Sequence, residues 1–114
     1  MKALVYEGPH NMPICDYPMC YPEAGQVKIK VKYCGICGSD LHGYTGASGR
    51  KIPPMVMGHE FSGVVTELGE GVTKFKVGDR VSVLPVEYCC ECEFCKRGAV
   101  NICANRRNLG VLDV

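Results

Sequence analysis

Gln26-Val27-Lys28-Ile29-Lys30-Val31-Lys32-Tyr33 alternates polar and apolar residues without a break and runs directly into Cys34-Gly35-Ile36-Cys37-Gly38-Ser39-Asp40-Leu41-His42. Period-two alternation puts Val27, Ile29, Val31 and Tyr33 on one face of a strand and Lys28, Lys30 and Lys32 on the other. The stretch therefore predicts a half-buried strand with its lysines in water. Gly35 and Gly38 let the backbone turn sharply and bring Cys37 close to whatever it binds. From Ser39 to about Tyr44 a short helix is expected, with Ser39 or Asp40 as its cap.

The β signal extends in both directions from this segment. Lys2 to Tyr6 is a short apolar run and an opening strand. Four prolines (Pro9, Pro13, Pro18 and Pro22) keep the stretch from Glu7 to Gly25 irregular or on a sheet edge. Phe61 to Leu68 is a Val-rich strand ending at the turn Gly69-Glu70-Gly71. Val72 to Val77 leads into a tight turn at Gly78-Asp79, and Arg80 to Val86 reads as a further strand. Short strands with closely spaced turns indicate a mainly β fold, a small barrel or sandwich with short helices. The chain has 114 residues, enough for a single domain spanning 1–114 but not for two cores.

Composition excludes several classes of function. Apolar residues at 46% and charged residues at 22% are those of an ordinary soluble globular chain. A net charge of +1 leaves no electrostatic footprint for nucleic acid or an anionic membrane surface. The basic pairs Lys96-Arg97 and Arg106-Arg107 read as solvated surface. No apolar run approaches the roughly 20 residues that a membrane-spanning helix needs. The start, Met1 to Gly8, meets an acid and a glycine too early for a signal peptide, so a cytoplasmic location is expected.

Nine cysteines without an export signal point to metal binding or redox chemistry rather than to a disulfide framework. Cys89, Cys92, Cys95 and Cys103 stand at C-x2-C-x2-C-x7-C, which packs four thiolates into one short lobe suited to a closed structural zinc site. The same opening begins a ferredoxin-type run, but that run continues after three residues with Cys-Pro. Here seven residues intervene and Ala104 follows, which favours zinc. Cys89 is preferred to Cys90 because it keeps the even C-x2-C step. Cys15, Cys20 and Cys34 read as small buried hydrophobes. A second set of potential ligands, Cys37, His42, His59 and Glu60, mixes sulfur, imidazole and carboxylate and can remain open to a reactant. Asp40 is a candidate acceptor for the ring N–H of His59. Cys34 and Cys37 also fit the spacing of a thiol redox pair, though without the βαβ setting such pairs occupy.

Gly58-His59-Glu60-Phe61-Ser62-Gly63-Val64-Val65, then Gly78-Asp79-Arg80-Val81, then the four-cysteine lobe, resemble the zinc-containing medium-chain alcohol and polyol dehydrogenases. The resemblance runs from about Lys2 to the last residue and is closest to the sorbitol and threonine dehydrogenase branch. It implies a GroES-like small β-barrel, the N-terminal catalytic domain of that family. It further implies that Cys37 and His59 are catalytic zinc ligands, with Glu60 ligating directly or in some states. Ser39 would hydrogen-bond the substrate alcohol and pass its proton onward, His42 would complete the relay to solvent, and Asp40 would support the ligands. Cys89, Cys92, Cys95 and Cys103 would hold structural zinc. Tyr44 falls where substrate-pocket aromatics lie in the family, or is a packing tyrosine.

The implied activity is hydride transfer between a small alcohol or polyol and NAD(P), in an enzyme that is a homo-oligomer at full length. Family members are longer, and their dinucleotide-binding domain and remaining catalytic zinc ligand lie beyond the region matched here. No G-x-G-x-x-G follows a strand in this sequence. The expectation is therefore a truncated domain, inactive in isolation, with a filled lobe and a weak or empty open site. A free-standing zinc module whose lobe mediates protein contacts is the alternative. It would have no reason to carry Cys37, Ser39, His42, His59 and Glu60 together.

Overall fold

The computed structural model describes residues 1–49 and 51–110. Among the described residues strands predominate, arranged in three antiparallel sheets with two short helices. In the first sheet β1 (Lys2–Tyr6) lies between β2 (Ile14–Asp16) and β4 (Met55–Val56), and β2 forms an edge in the proline-rich stretch, as expected. The second sheet has the order β3–β5–β6, with β3 at Val27–Cys34, β5 at Phe61–Leu68 and β6 at Arg80–Ser82. A third, two-stranded ribbon pairs β7 (Val86–Glu87) with β8 (Arg107–Asn108). Helix α1 covers Gly38–Tyr44, and α2, which the sequence pattern did not indicate, covers Glu93–Lys96.

Two small apolar centres hold these sheets. Tyr6, Met55 and Met57 are buried together, with Met12 packed against them, under the β1–β4 pair. Val65, in the middle of β5, is fully buried. Its N–H donates to Asp79 O and its carbonyl accepts the Gly78 N–H, both at 2.9 Å, so the Gly78-Asp79 turn closes onto the strand. Gly78 has φ +97°, a conformation that favours glycine.

Three expectations need correction. β3 forms where alternation placed it, but its apolar face is not half-buried throughout: Val31 is 50% and Tyr33 80% exposed. No element among the described residues covers the far end of this sheet, and the pairing with β5 shifts register between Val31 and Tyr33. The expected strand from Arg80 to Val86 splits into β6 and β7 in different sheets. Pro85 lies in the break, where its missing N–H cannot support a ladder. Cys20 and Cys34 are exposed and Cys15 is half-buried, so none is the buried hydrophobe expected.

Ligand positioning follows from how the first two sheets join. Residues 57–60 carry the chain from β4 into β5, and Cys34 pairs with Phe61 at the start of β5. The ladder extends one step further, because Gly35 N–H donates to Glu60 O at 2.7 Å. His59 and Glu60 are thereby set beside the end of β3, and α1 starts three residues beyond Gly35.

Candidate metal centres

Cys37, His59 and Glu60 come together, with one potential ligand atom of each lying within 4.8 Å of the others. His42 is not in this group. It sits exposed on α1, although the sequence had set it among the possible ligands. Cys37 precedes the first helical residue with extended backbone, so Cys37, rather than Ser39 or Asp40, is the cap position. Asp40 Oδ2 accepts the Cys37 N–H at 3.1 Å, which satisfies one of the free donors of the first turn. Ser39 Oγ lies 3.4 Å from His59 Nε2, so the hydroxyl borders the ligand group.

His59 is buried, and its Nδ1 lies 3.4 Å from Asp40 Oδ1 without the geometry of a hydrogen bond. The expected partnership is thus one of proximity. A ring nitrogen buried without a bond beside a carboxylate, next to a thiol and a second carboxylate, fits a group that turns on binding a cation. The carboxylate of Glu60 has room because residue 35 is glycine: a Cβ there would stand 3.1 Å from Glu60 Oε2. A cleft of about 300 Å³ opens beside this group, lined by Tyr33, Gly35, His59, Glu60, Phe61 and Pro85 among others.

Lys51, to which the sequence drew no attention, is buried beneath α1. Its Nζ donates to Asp40 Oδ1 at 2.8 Å and to Gly110 O at 3.1 Å. A single lysine between a basic residue and an isoleucine has no distinguishing pattern, so no sequence signal could have found it.

The lobe is the second centre. The β7–β8 ribbon closes its neck, pairing Val86 with Asn108 and Glu87 with Arg107. Inside it, Cys89, Cys92, Cys95 and Cys103 bring their sulfurs within 4.8 Å of one another. Cys90 is exposed, has φ 59° and lies outside the group. The Cys103–Cys89 and Cys103–Cys92 sulfur separations are 3.5 and 3.9 Å. A disulfide would need about 2.05 Å. A tetrahedral zinc with Zn–S near 2.3 Å needs edges of about 3.8 Å, so these residues fit that ion.

Backbone donors prepare the lobe for anionic sulfur. Cys92 N–H points to Cys89 Sγ, and Cys89 N–H to Cys103 Sγ, each at 3.4 Å. The backbone N–H groups of Cys95 and Ala104 hold the Cys92 thiol down to about 6. Those of Glu91 and Cys92 likewise lower Cys89. Cys95 is pushed up to about 12 by desolvation and by its hydrogen bonds with Cys92 and Cys103. The opposed shifts have one meaning: sulfurs this close cannot all be thiolates unless a cation neutralises them.

Residues 23–112 match the alcohol dehydrogenase GroES-like domain. The chain belongs to that family. It is 48% identical over 113 residues to a sorbitol dehydrogenase of Halalkalibacterium halodurans, covering 96% of this chain and 33% of the relative. Against the starvation-sensing protein RspB of Escherichia coli, identity is 44% over 111 residues, covering 97% and 33%. Among solved structures, an E. coli alcohol dehydrogenase (rspB) complexed with NADH superposes with a TM-score of 0.90 at 44% identity, over 99% of this chain and 33% of that one. A 2R,3R-butanediol dehydrogenase of Bacillus subtilis superposes with a TM-score of 0.80 at 40% identity, over 96% and 34%. The chain thus spans about a third of the length of these relatives. The mainly β, GroES-like architecture expected from the sequence is the one found.

Proposed function

We propose that residues 1–114 are the N-terminal, metal-binding catalytic domain of a zinc-dependent dehydrogenase that moves hydride between a small alcohol or polyol and NAD(P). One observation carries this reading. A sealed four-sulfur group and an open Cys–His–Glu group lie in the same small fold, and the open one adjoins a cleft. In this reading the nicotinamide site lies outside these residues, and the 114-residue chain alone does not turn over. Relatives named as sorbitol and butanediol dehydrogenases support an alcohol or polyol as substrate.

Cys37, His59 and Glu60 are the residues that would hold the catalytic zinc. When bound there, the ion supplies Lewis acidity, making an alcohol easier to deprotonate and a carbonyl easier to reduce. The chain's own groups do the rest. Ser39 Oγ, at the edge of the ligand group, takes the proton of the reactant hydroxyl while releasing its own toward solvent. His42 lies three residues further along α1, on the same side of the helix and exposed, and delivers that proton to water. Asp40 holds the Cys37 backbone and stands beside the His59 ring. Cys89, Cys92, Cys95 and Cys103 would hold the structural zinc that orders the lobe.

The proposal extends to a cytoplasmic homo-oligomer. No helix among the described residues is long and apolar enough to cross a membrane. All nine cysteines are unpaired, which suits a reducing compartment. Apolar side chains left open, such as Ile36, Leu41 and Ile52, suit further packing partners.

The test is NAD(P)-linked oxidation of small alcohols and polyols by the enzyme that contains these residues, with Ser39→Ala and Cys37→Ala beside it. Loss of turnover on both substitutions supports the reading. Undiminished turnover in Cys37→Ala overturns it.

A further inference from the structure

Lys51 is a buried cation that the proposed reaction does not use. Burying an ammonium is tolerated only where partners replace its water. Its side chain is 2% exposed, and its ammonium bonds Asp40 Oδ1 at 2.8 Å and Gly110 O at 3.1 Å. The stem runs against α1 at Gly43, where a Cβ would stand 2.7 Å from Lys51 Cδ. The helix therefore needs a glycine at this point for the lysine to pass beneath it.

Asp40 is the hub of the arrangement. Its Oδ2 accepts the Cys37 N–H at 3.1 Å, and its Oδ1, held by Lys51, lies 3.4 Å from His59 Nδ1. One carboxylate thus contacts both residues of the Cys–His pair. The second partner of Lys51 leads to the same place. A Cβ on Gly110 would meet Gly58 O at 2.1 Å, so the backbone at 110 rests on the residue before His59. Lys51 accordingly ties α1 to the segment at Gly110, and that segment in turn rests on Gly58 beside His59.

We propose that Lys51 is a positioning residue of the open metal centre. By anchoring Asp40 it fixes the orientation of His59 and Cys37, and so sets the affinity and geometry of the centre for a divalent cation. This rests on the reading of Cys37, His59 and Glu60 as metal ligands. A buried Lys–Asp pair with a purely structural role would stabilise the fold but leave the metal site unchanged. The two roles are therefore separable by measurement.

The experiment titrates the enzyme that contains these residues, its lobe already filled with zinc, with cobalt(II), whose visible absorption reports ligand geometry. The unsubstituted enzyme is expected to take up cobalt at the open centre. Lys51→Met should weaken that uptake about 10- to 100-fold, the usual consequence of losing support behind a metal ligand, and should shift the visible band. Because Lys51→Met leaves Asp40 buried without its counter-charge, Lys51→Met combined with Asp40→Asn removes both charges and provides a second folded variant with the same expected loss. Unchanged affinity and an unchanged band in a folded variant overturn the inference, even if the melting temperature falls. Failure of the unsubstituted enzyme to bind cobalt at the open centre is a different result. It refutes the metal reading of Cys37, His59 and Glu60, and this inference with it.

Discussion

Stripping zinc from the lobe should unfold residues 89–103 while the β3–β5–β6 sheet stays intact. The lobe has little else to hold it. Cys103 is its only buried residue, α2 has four residues and the 3-10 turn at Val100–Ile102 has three, all too short to be stable alone. Ordering roughly 15 residues costs on the order of 15–30 kcal/mol of backbone entropy. The lobe's backbone hydrogen bonds, at about 1 kcal/mol each, and roughly 2 kcal/mol from burying Cys103 offset only part of that. A structural zinc, worth about 10–16 kcal/mol in isolated zinc-finger peptides, is of the size required to close the gap. Lys96 and Arg97, exposed at the end of α2, make trypsin the convenient probe. At zinc a hundredfold above its apparent dissociation constant only about 1% of lobes are metal-free and open, so chelation should speed cleavage there about 100-fold. Hydrogen exchange at the Val65 amide, which donates to Asp79 O, should change little. Equal cleavage with and without zinc would refute the reasoning, and so would simultaneous loss of Val65 protection.

Gly35→Ala should displace the Glu60 carboxylate, since the new Cβ would stand 3.1 Å from Oε2, and weaken cobalt binding at the open centre about tenfold by titration. Undiminished binding would show that Glu60 is not held there by Gly35. Val65→Ala removes two methyl groups from a fully buried position and should destabilise the chain by about 2 kcal/mol in urea unfolding. A change below about 0.5 kcal/mol would mean that Val65 is not a core residue. Asp79 accepts hydrogen bonds from the side chain and the backbone N–H of Lys76, which hold its carboxyl below the ordinary value. A depressed acid contributes stability above its unfolded pKa, near 3.9, and loses it as pH falls through the lower folded value. The same contact raises Lys76, whose contribution is present below its unfolded value and lost as pH rises through the folded one. Carbon NMR should find Asp79 titrating below free aspartate, and Asp79→Asn should abolish the acid-side loss; a normal Asp79 titration would contradict the contact.

Much of the fold was legible because its signals are local. Alternation located β3, the Val-rich run located β5, and Gly78-Asp79 located the turn between β5 and β6. The grouping of the four lobe cysteines was legible for the same reason: they are close in the chain, and the even step separated Cys89 from Cys90. Burial was less legible, because it depends on what lies across the sheet. Val31 and Tyr33 have the pattern of core residues yet face open space. The break at Pro85 has a sequence signal in the missing N–H, but the apolar residues on both sides of it carry a strand pattern that masks it. Pairing Cys37 with His59 and Glu60 rests on the step from Gly35 to Glu60, a contact between segments that spacing alone cannot supply. Lys51 was invisible, since a lysine is ordinarily a surface residue and only the fold reveals its burial.

Crystals of the enzyme that contains these residues, grown with zinc and measured on both sides of the zinc absorption edge, give the most direct test of two metal centres of unlike character. The account predicts a strong anomalous peak at about 2.3 Å from the sulfurs of Cys89, Cys92, Cys95 and Cys103. It predicts a second, weaker peak among Cys37, His59 and Glu60. Disulfide bonds among the four lobe cysteines, or no peak beside His59 at saturating zinc, would contradict it.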